Sequence, residues 1–170
     1  MKFFKRMLLV ISALILLLAV AGVTPLSNLN SDEKIERNFL NGLPGVNEQI
    51  LVVKIDDTRA AHPQIGLEYA DVVYVEQVEG GLTRLAAVYS SQLPPLIGPV
   101  RSARISDIEL LAQYGRVGFA YSGAQKKMRP VIDAANVEDL GAMNHSSTIY
   151  TTDPDRIQPY AMVLRADLLL

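Results

Sequence analysis

The pattern of hydrophobic and polar residues predicts strands first and helices later in the chain. Residues 50–56 read ILVVKID, a run rich in β-branched residues that ends in a carboxylate, which is typical of a buried strand. Residues 71–78 (DVVYVEQV) and 82–90 (LTRLAAVYS) predict two further strands. Gly80 and Gly81 lie between these two strands and favour a two-residue hairpin turn.

A two-residue turn determines which side chains of the hairpin are neighbours. In that register Arg84 lies opposite Gln77 and diagonal to Glu79 on one face of the sheet, whereas Glu76 lies on the other face. The hairpin is therefore expected to present Arg84 and Glu79 together and to keep Glu76 apart from them.

Helical spacing of apolar residues begins near residue 105. Ser106 and Glu109 form an S-x-x-E capping box that predicts the start of this helix, and Ser102 is an alternative cap one turn earlier. The remaining predicted elements are a strand over 116–121, a helix after Ser122-Gly123, a strand over 147–152 and a helix after 153–155. Strands that alternate with helices predict an α/β (mixed α+β) fold, in which helices pack on a mixed β-sheet.

The first 23 residues have the layout of an export signal. Lys2, Lys5 and Arg6 precede an uninterrupted apolar run over residues 7–23. The run is either a cleaved signal peptide or a retained anchor helix, because its 17 residues are close to the lower limit for spanning a bilayer. The basic flank predicts that the remainder lies on the extracytoplasmic side of the cell membrane, or is secreted if the signal is cleaved.

The rest of the chain divides into two predicted parts. Residues 24–49 are polar and rich in turn-forming residues, which predicts a linker, and residues 50–170 are predicted to form one domain. The chain ends in RADLLL. Three terminal leucines favour a further C-terminal part in the whole protein, or else a C-terminal helix packed on the domain's own core.

Composition and charge narrow the function classes. The chain contains no cysteine, which excludes disulfides, a thiol nucleophile and a thiolate metal site. Three of the 16 basic residues precede the apolar run, so 13 basic residues meet 18 acidic ones in the remainder. Nucleic-acid binding favours a basic surface, so we expect no nucleic-acid partner.

The segment GPVRSAR, residues 98–104, places Arg101 and Arg104 at the predicted start of a helix. The helix dipole disfavours cations at this position by about 0.3–1 kcal/mol each. One interpretation is an anionic ligand held by the guanidinium groups and the helix N–H groups. The other is pairing with carboxylates of the neighbouring hairpin. The candidate ligand-binding residues are Glu76, Glu79, Arg84, Arg101, Ser102 and Arg104.

Two further sites are weaker candidates. Asp56 and Asp57 at the end of the first strand could hold Mg²⁺ or Ca²⁺, although adjacent aspartates are also common in turns. The strand-to-helix turn at Ser122-Gly123 could bind an anion through backbone N–H groups. No organic cofactor is expected.

Three motifs in order resemble the family of YerB-like lipoproteins, which contains a domain of unknown function from Gram-positive bacteria. They are KIDD from Lys54, HPQIGLEYADVVYVEQVEGGLTR from His62, and IGPVRSAR from Ile97. The resemblance implies a membrane-tethered extracytoplasmic protein, usually with a second C-terminal domain. The chain departs from the family pattern in three ways: it has no lipobox cysteine, it has Asp57 in place of an asparagine, and its later segment reads MNHSSTIYTTDPDR.

Two functions remain open on the sequence. The first is a binding module that recognises an anionic cell-envelope ligand, such as a phosphate-bearing wall polymer or a polyprenyl phosphate, through Arg84, Arg101 and Arg104. The second is a metal-assisted envelope enzyme that acts on phosphate-containing substrates. In the second case Asp56 or Asp57 would hold the metal and the arginines would stabilise the transferred charge.

Overall fold

The computed structural model describes residues 35–169 and confirms a mixed α+β fold. Its strands are β1 Leu51–Asp56, β2 Val72–Gln77, β3 Thr83–Tyr89, β4 Leu96–Ile97, β5 Val117–Ala120, β6 Val137–Asp139, β7 Tyr150–Thr152 and β8 Met162–Arg165. Its α-helices are α1 Ile105–Ala112 and α2 Arg129–Ala134. The predicted signal or anchor, residues 1–23, lies outside the described residues. No helix between residues 35 and 169 is both long and apolar enough to cross a bilayer.

The larger sheet has five strands in the order β2-β3-β1-β5-β6. β3 runs antiparallel to both β1 and β2, whereas β1, β5 and β6 are parallel. The carboxyl ends of these three parallel strands therefore lie at one edge of the sheet, which is where ligands commonly bind in open α/β sheets.

β1 is buried on both faces, which explains its continuous apolar run. Val53 and Ile55 face a core that includes Leu164 of the smaller sheet, whose strand order is β4-β8-β7. Val52 faces a second core with Leu111 from the helical layer. Each fully buried aliphatic side chain contributes about 1.5–3 kcal/mol. The central sheet is thus packed between helices on one face and a small sheet on the other.

The hairpin register differs from the prediction by one residue. Glu79-Gly80-Gly81 forms a three-residue loop closed by Val78 N–H donating to the Leu82 carbonyl (2.8 Å). Both glycines have positive φ, +75° and +72°, and the longer loop uses this freedom at two positions.

The new register changes which side chains are neighbours. Glu76 is directly opposite Arg84, and Arg84 is directly opposite Asp56. Directly opposed residues share a face of the sheet, so the prediction that Glu76 and Arg84 lie on different faces is wrong. Three charged side chains from three adjacent strands lie on the face that carries the helices.

The helical prediction after residues 153–155 is also wrong, because the chain there makes a turn and continues into β8. The predicted strand over 147–152 is shortened to β7. The sequence did not predict the strands β4 and β6, because two or three residues are too few to show the two-residue alternation of a strand.

The described part of the predicted linker, residues 35–49, packs on the domain. Asn38 is fully buried, and its side-chain amide donates to the Val46 carbonyl (2.9 Å) and to Ser90 Oγ (3.2 Å). Glu48 N–H donates to the Ser90 carbonyl (3.0 Å). These hydrogen bonds join the segment to the end of β3.

The start of α1 is capped by a buried carboxylate. Asp107 Oδ2 accepts the backbone N–H of Arg104 (2.6 Å), the residue that precedes the helix. Neither Ser106 nor Ser102 caps the helix, so that prediction is wrong. Ser106 lies inside the first turn, and its hydroxyl donates to Glu76 Oε2 (2.7 Å) on β2.

Lys54 on β1 connects the sheet to this helix. Its fully buried Nζ lies 2.6 Å from Asp107 Oδ1 and 2.5 Å from Glu76 Oε1. Burial raises the pKa of Asp107 to about 6, with Glu76 adding to the effect and Lys54 opposing it. Burial opposes ionisation of Glu76 too, yet hydrogen bonds from Lys54 and Ser106 hold the pKa of Glu76 below its ordinary value.

The raised pKa of Asp107 predicts an unusual pH dependence of stability. Between the ordinary value of 3.8 and about 6, the folded state binds more protons at Asp107 than the unfolded state does. This contribution to the free energy of unfolding therefore falls as pH rises through that window. Relative to Asp107→Asn, the free energy of unfolding of the wild type is expected to fall by up to about 3 kcal/mol between pH 4 and pH 7. Urea unfolding at a series of pH values measures this difference.

The exposed Asp155 gives a matched control, since Asp155→Asn should leave the pH dependence of the wild type unchanged. A wild-type stability that stayed constant or rose relative to Asp107→Asn across this window would contradict the assignment.

Candidate functional site

The GPVRSAR segment, residues 98–104, lies along the carboxyl end of β1. β5 pairs with β1 only as far as Val53, and beyond that point the segment takes its place. Arg101 N–H donates to the Lys54 carbonyl (2.8 Å), and Ser122 N–H, just after β5, donates to the Arg101 carbonyl (2.9 Å). The arginines are thus held at the edge where the parallel strands β1 and β5 end.

Asp56, the last residue of β1, is the carboxylate that Arg101 meets. Asp56 is fully buried, and its Oδ1 accepts the Thr58 N–H (2.7 Å). Arg101 Nε lies 2.8 Å from Asp56 Oδ2. The N–H is not aligned with that oxygen, so Oδ2 has no hydrogen bond and the contact is an ion pair. Arg84 Nη1 lies 3.5 Å from Oδ1 on the other side.

Arg84 is the most buried of the three arginines. Its Nη1 donates to the Thr83 carbonyl (2.7 Å), and only 7% of its side chain is exposed. Burial lowers the pKa of Arg84, the charges of Arg101 and Arg104 lower it further, and Asp56 opposes them. The positive charges of Arg101 and Arg104 therefore act against the charge of Arg84.

Arg104 pairs with a carboxylate that is mostly in water. Its Nε lies 2.9 Å from Glu79 Oε2, and 63% of the Glu79 side chain is exposed. Arg104 Nη1 also donates to the carbonyls of Ala103 (3.1 Å) and Ser102 (3.3 Å). Water screens an ion pair of this exposure, so Glu79 holds Arg104 only weakly.

The other predicted ligand-binding residues have different surroundings. The Glu76 carboxylate pairs with Lys54 and Ser106, and within residues 35–169 it forms no ion pair with the three arginines. Ser102 Oγ lies 3.4 Å from Ser122 Oγ, so the two hydroxyls are side by side next to the arginines. The weaker anion candidate at Ser122 is thereby brought into the same location as GPVRSAR.

The two metal candidates have separate partners. Asp56 faces the guanidinium groups, whereas Asp57 Oδ2 accepts the Thr83 hydroxyl (2.6 Å) and Asp57 Oδ1 lies 3.4 Å from His62 Nε2. No group of three or more potential metal-ligating His, Cys, Asp or Glu side chains occurs between residues 35 and 169.

Two contacts of Arg101 come from a distant part of the chain that sequence reasoning missed. Arg101 Nη1 donates to the Pro159 carbonyl (3.1 Å), and its guanidinium carbon lies 5.9 Å from the centre of the Tyr160 ring. A cation over an aromatic face at this distance is favourable. The hydrogen bond joins residues that are 58 positions apart in the chain. No local sequence signal indicates either contact.

Asp56 is buried and Glu79 is exposed, so their partners Arg101 and Arg104 are expected to contribute unequally to stability. Arg101→Gln leaves the fully buried Asp56 without its nearest cation, so we expect a loss of about 3 kcal/mol in the free energy of unfolding. Arg104→Gln leaves only the solvated Glu79 without its partner and should cost much less. Urea unfolding of both variants checks this, and equal losses would contradict the geometry.

Comparison with known proteins supports the resemblance seen in the three motifs. Over 126 residues the chain is 25% identical to "Putative lipoprotein YerB" of Bacillus subtilis (strain 168), and the match covers 74% of this chain and 35% of that protein. The crystal structure of YerB protein from Bacillus subtilis matches with a TM-score of 0.72 at 24% identity. That match covers 78% of this chain and 47% of the solved one and shows a shared fold.

The chain spans about a third of the length of this curated relative and about half of the solved chain. Residues 40–170 match the family described as "Protein of unknown function (DUF3048) N-terminal domain". The match covers most of the chain, and the YerB-like resemblance is confirmed. The chain belongs to the DUF3048 family, and its globular part is the N-terminal domain of that family.

Proposed function

We propose that this domain binds an anionic cell-envelope component, bearing phosphate or carboxylate groups, through Arg84, Arg101 and Arg104. The observation that carries the proposal is the number of carboxylates that pair with these arginines. Within residues 35–169, the ion pairs of these three guanidinium groups involve two carboxylates, those of Asp56 and Glu79. The three guanidinium groups thus outnumber the carboxylates paired with them by one, in a chain whose formal net charge is −2.

The three arginines have different parts in the proposed site. Arg101 and Arg84 stay with Asp56, which orients them and keeps their charge at this edge of the sheet. Arg104 is the group that can change partner, because water already screens its contact with Glu79. A phosphate group carries more negative charge than the Glu79 carboxylate and can accept two parallel hydrogen bonds from a guanidinium fork. An incoming anion can therefore displace Glu79 from Arg104.

Side chains, and not the start of α1, are the proposed anion ligands. The Asp107 carboxylate already accepts the N–H of Arg104 and occupies the helix start. The hydroxyls of Ser102 and Ser122 are half-buried beside the arginines and can donate to phosphate oxygens.

Binding is favoured over metal-assisted catalysis by the partners of Asp56 and Asp57. The two guanidinium groups beside Asp56 oppose the approach of a cation, and Asp57 is directed to Thr83 and His62. The arginines need no metal to hold an anion.

The proposed location is the extracytoplasmic face of the cell membrane. The basic residues before the apolar run over 7–23 support this orientation. The name of the Bacillus subtilis relative, which calls that protein a lipoprotein, is consistent with attachment to the cell envelope.

Titration of the full chain with inorganic phosphate and, separately, with acetate tests the proposal by calorimetry and thermal melting. Phosphate is expected to raise the melting temperature, because a ligand that binds only the folded state stabilises it. Arg104→Gln should weaken phosphate binding at least about tenfold, since it removes one charge-assisted contact.

The matched control is Arg116→Gln, since Arg116 is exposed and precedes β5 at the opposite end of the sheet. This variant should bind phosphate as the wild type does. Absence of any binding of either anion, or equal weakening in both variants, would refute a site at the three arginines.

A further inference from the structure

We infer that the anion bound at Arg104 carries an apolar chain, so that the ligand class is a membrane amphiphile with a phosphate head. This inference rests on the proposed function and narrows it. It comes from a groove next to the arginines that the anion proposal does not use.

The groove has a volume of about 280 Å³ and lies between the start of α1 and the start of α2. One part of its lining is polar and consists of Glu79, Arg104, Gln125 and Lys127. The remaining lining is apolar and consists of Ile105, Met128 and Val131. Arg104 thus belongs both to the arginine site and to a surface that can bury hydrocarbon.

The charged part of the groove suits a phosphate group. Lys127 is exposed and makes no ion pair within residues 35–169. With Arg104 it gives two cations against the single carboxylate of Glu79. A phosphate between the two cations would offset the excess charge, and its negative oxygens match both the guanidinium fork and the ammonium group.

The apolar part of the groove distinguishes an amphiphile from a soluble polymer. Ile105 is 59% exposed and Val131 is 37% exposed, although each belongs to a helix whose other residues reach the core. Each CH₂ group of a bound chain that leaves water at such a surface contributes about 0.8 kcal/mol. A sugar-phosphate polymer would bring hydroxyls to this wall, which offers them no hydrogen-bond partner. Polar groups buried without partners are unfavourable.

The test compares three probes on the full chain by calorimetry, each below its micelle concentration: inorganic phosphate, octyl phosphate and octyl glucoside. We expect octyl phosphate to bind at least about tenfold more tightly than inorganic phosphate, because the chain adds apolar contact. Octyl glucoside carries the same chain without charge and should bind much more weakly than octyl phosphate.

Matched variants test which residues contact the phosphate head of the ligand and which contact its apolar chain. Lys127→Gln should weaken both phosphate probes, whereas Lys126→Gln, one residue away and outside the groove lining, should weaken neither. Ile105→Ala combined with Val131→Ala should reduce the advantage of octyl phosphate and add no donor that could bind inorganic phosphate. Val75→Ala is the apolar control, because Val75 is 67% exposed and lies on the other face of the sheet. The apolar run over residues 7–23 is present in every variant. Any binding of a probe to that run is therefore the same in each variant and cancels when a variant is compared with the wild type.

The outcomes separate this inference from the proposed function. Phosphate binding that depends on Arg104, with no gain from the octyl chain, would overturn the amphiphile and leave the anion site standing. Equal binding of octyl glucoside and octyl phosphate would also overturn it, as would a chain advantage that survives the Ile105 and Val131 changes. Failure of both phosphate probes to bind would overturn this inference, and failure of acetate to bind as well would overturn the proposed function.

Discussion

The burial of Lys54 and Asp56 near the carboxyl end of β1 is the constraint on which the rest of the structure depends. Both side chains are fully buried and point to the helical face of the sheet. A buried charge without a partner costs several kcal/mol, so each requires opposite charge from other elements. Lys54 takes Glu76 from β2 and Asp107 from α1, while Asp56 takes arginines from β3 and from the segment before α1. The pairs therefore determine how hairpin, sheet and helix meet.

The same constraint distinguishes charges that the fold holds in place from charges that can change partner. Arg101 is held by a buried carboxylate, a backbone carbonyl and an aromatic ring, whereas Arg104 shares a solvated carboxylate. Charges held in the interior cannot leave without a large loss of stability, but a solvated pair exchanges partners at little cost. The cluster thus contains two arginines that pair with a buried carboxylate. A third arginine, Arg104, has a solvated partner and lies next to a partly apolar groove. The proposed binding of an anion uses this arrangement.

Much of the fold could be predicted from the pattern of apolar residues. β1, β2, β3, β5 and α1 lie where the pattern places them, because each is long enough to show a period of two residues or of 3.6. The hairpin register could not be predicted, because two glycines with positive φ permit both a two-residue and a three-residue loop. That difference of one residue decided whether Glu76 and Arg84 share a face. The cap of α1 was missed for a similar reason: Ser106 matches a local capping motif, but a tertiary contact with Glu76 engages its hydroxyl.

The sequence by itself determined the class of fold and the family resemblance, and it singled out the two arginines in GPVRSAR as candidates. These are local properties, written in hydrophobic spacing, in motif order and in the unfavourable position of a cation before a helix. Only the tertiary structure decided which carboxylate each arginine meets, because the partners of Arg101 lie 45 to 59 positions away along the chain, in Asp56 and Tyr160. Both hairpin glutamates were plausible partners by proximity in sequence. Desolvation decided between them, since the interior charge of Lys54 required Glu76 and left the exposed Glu79 to Arg104.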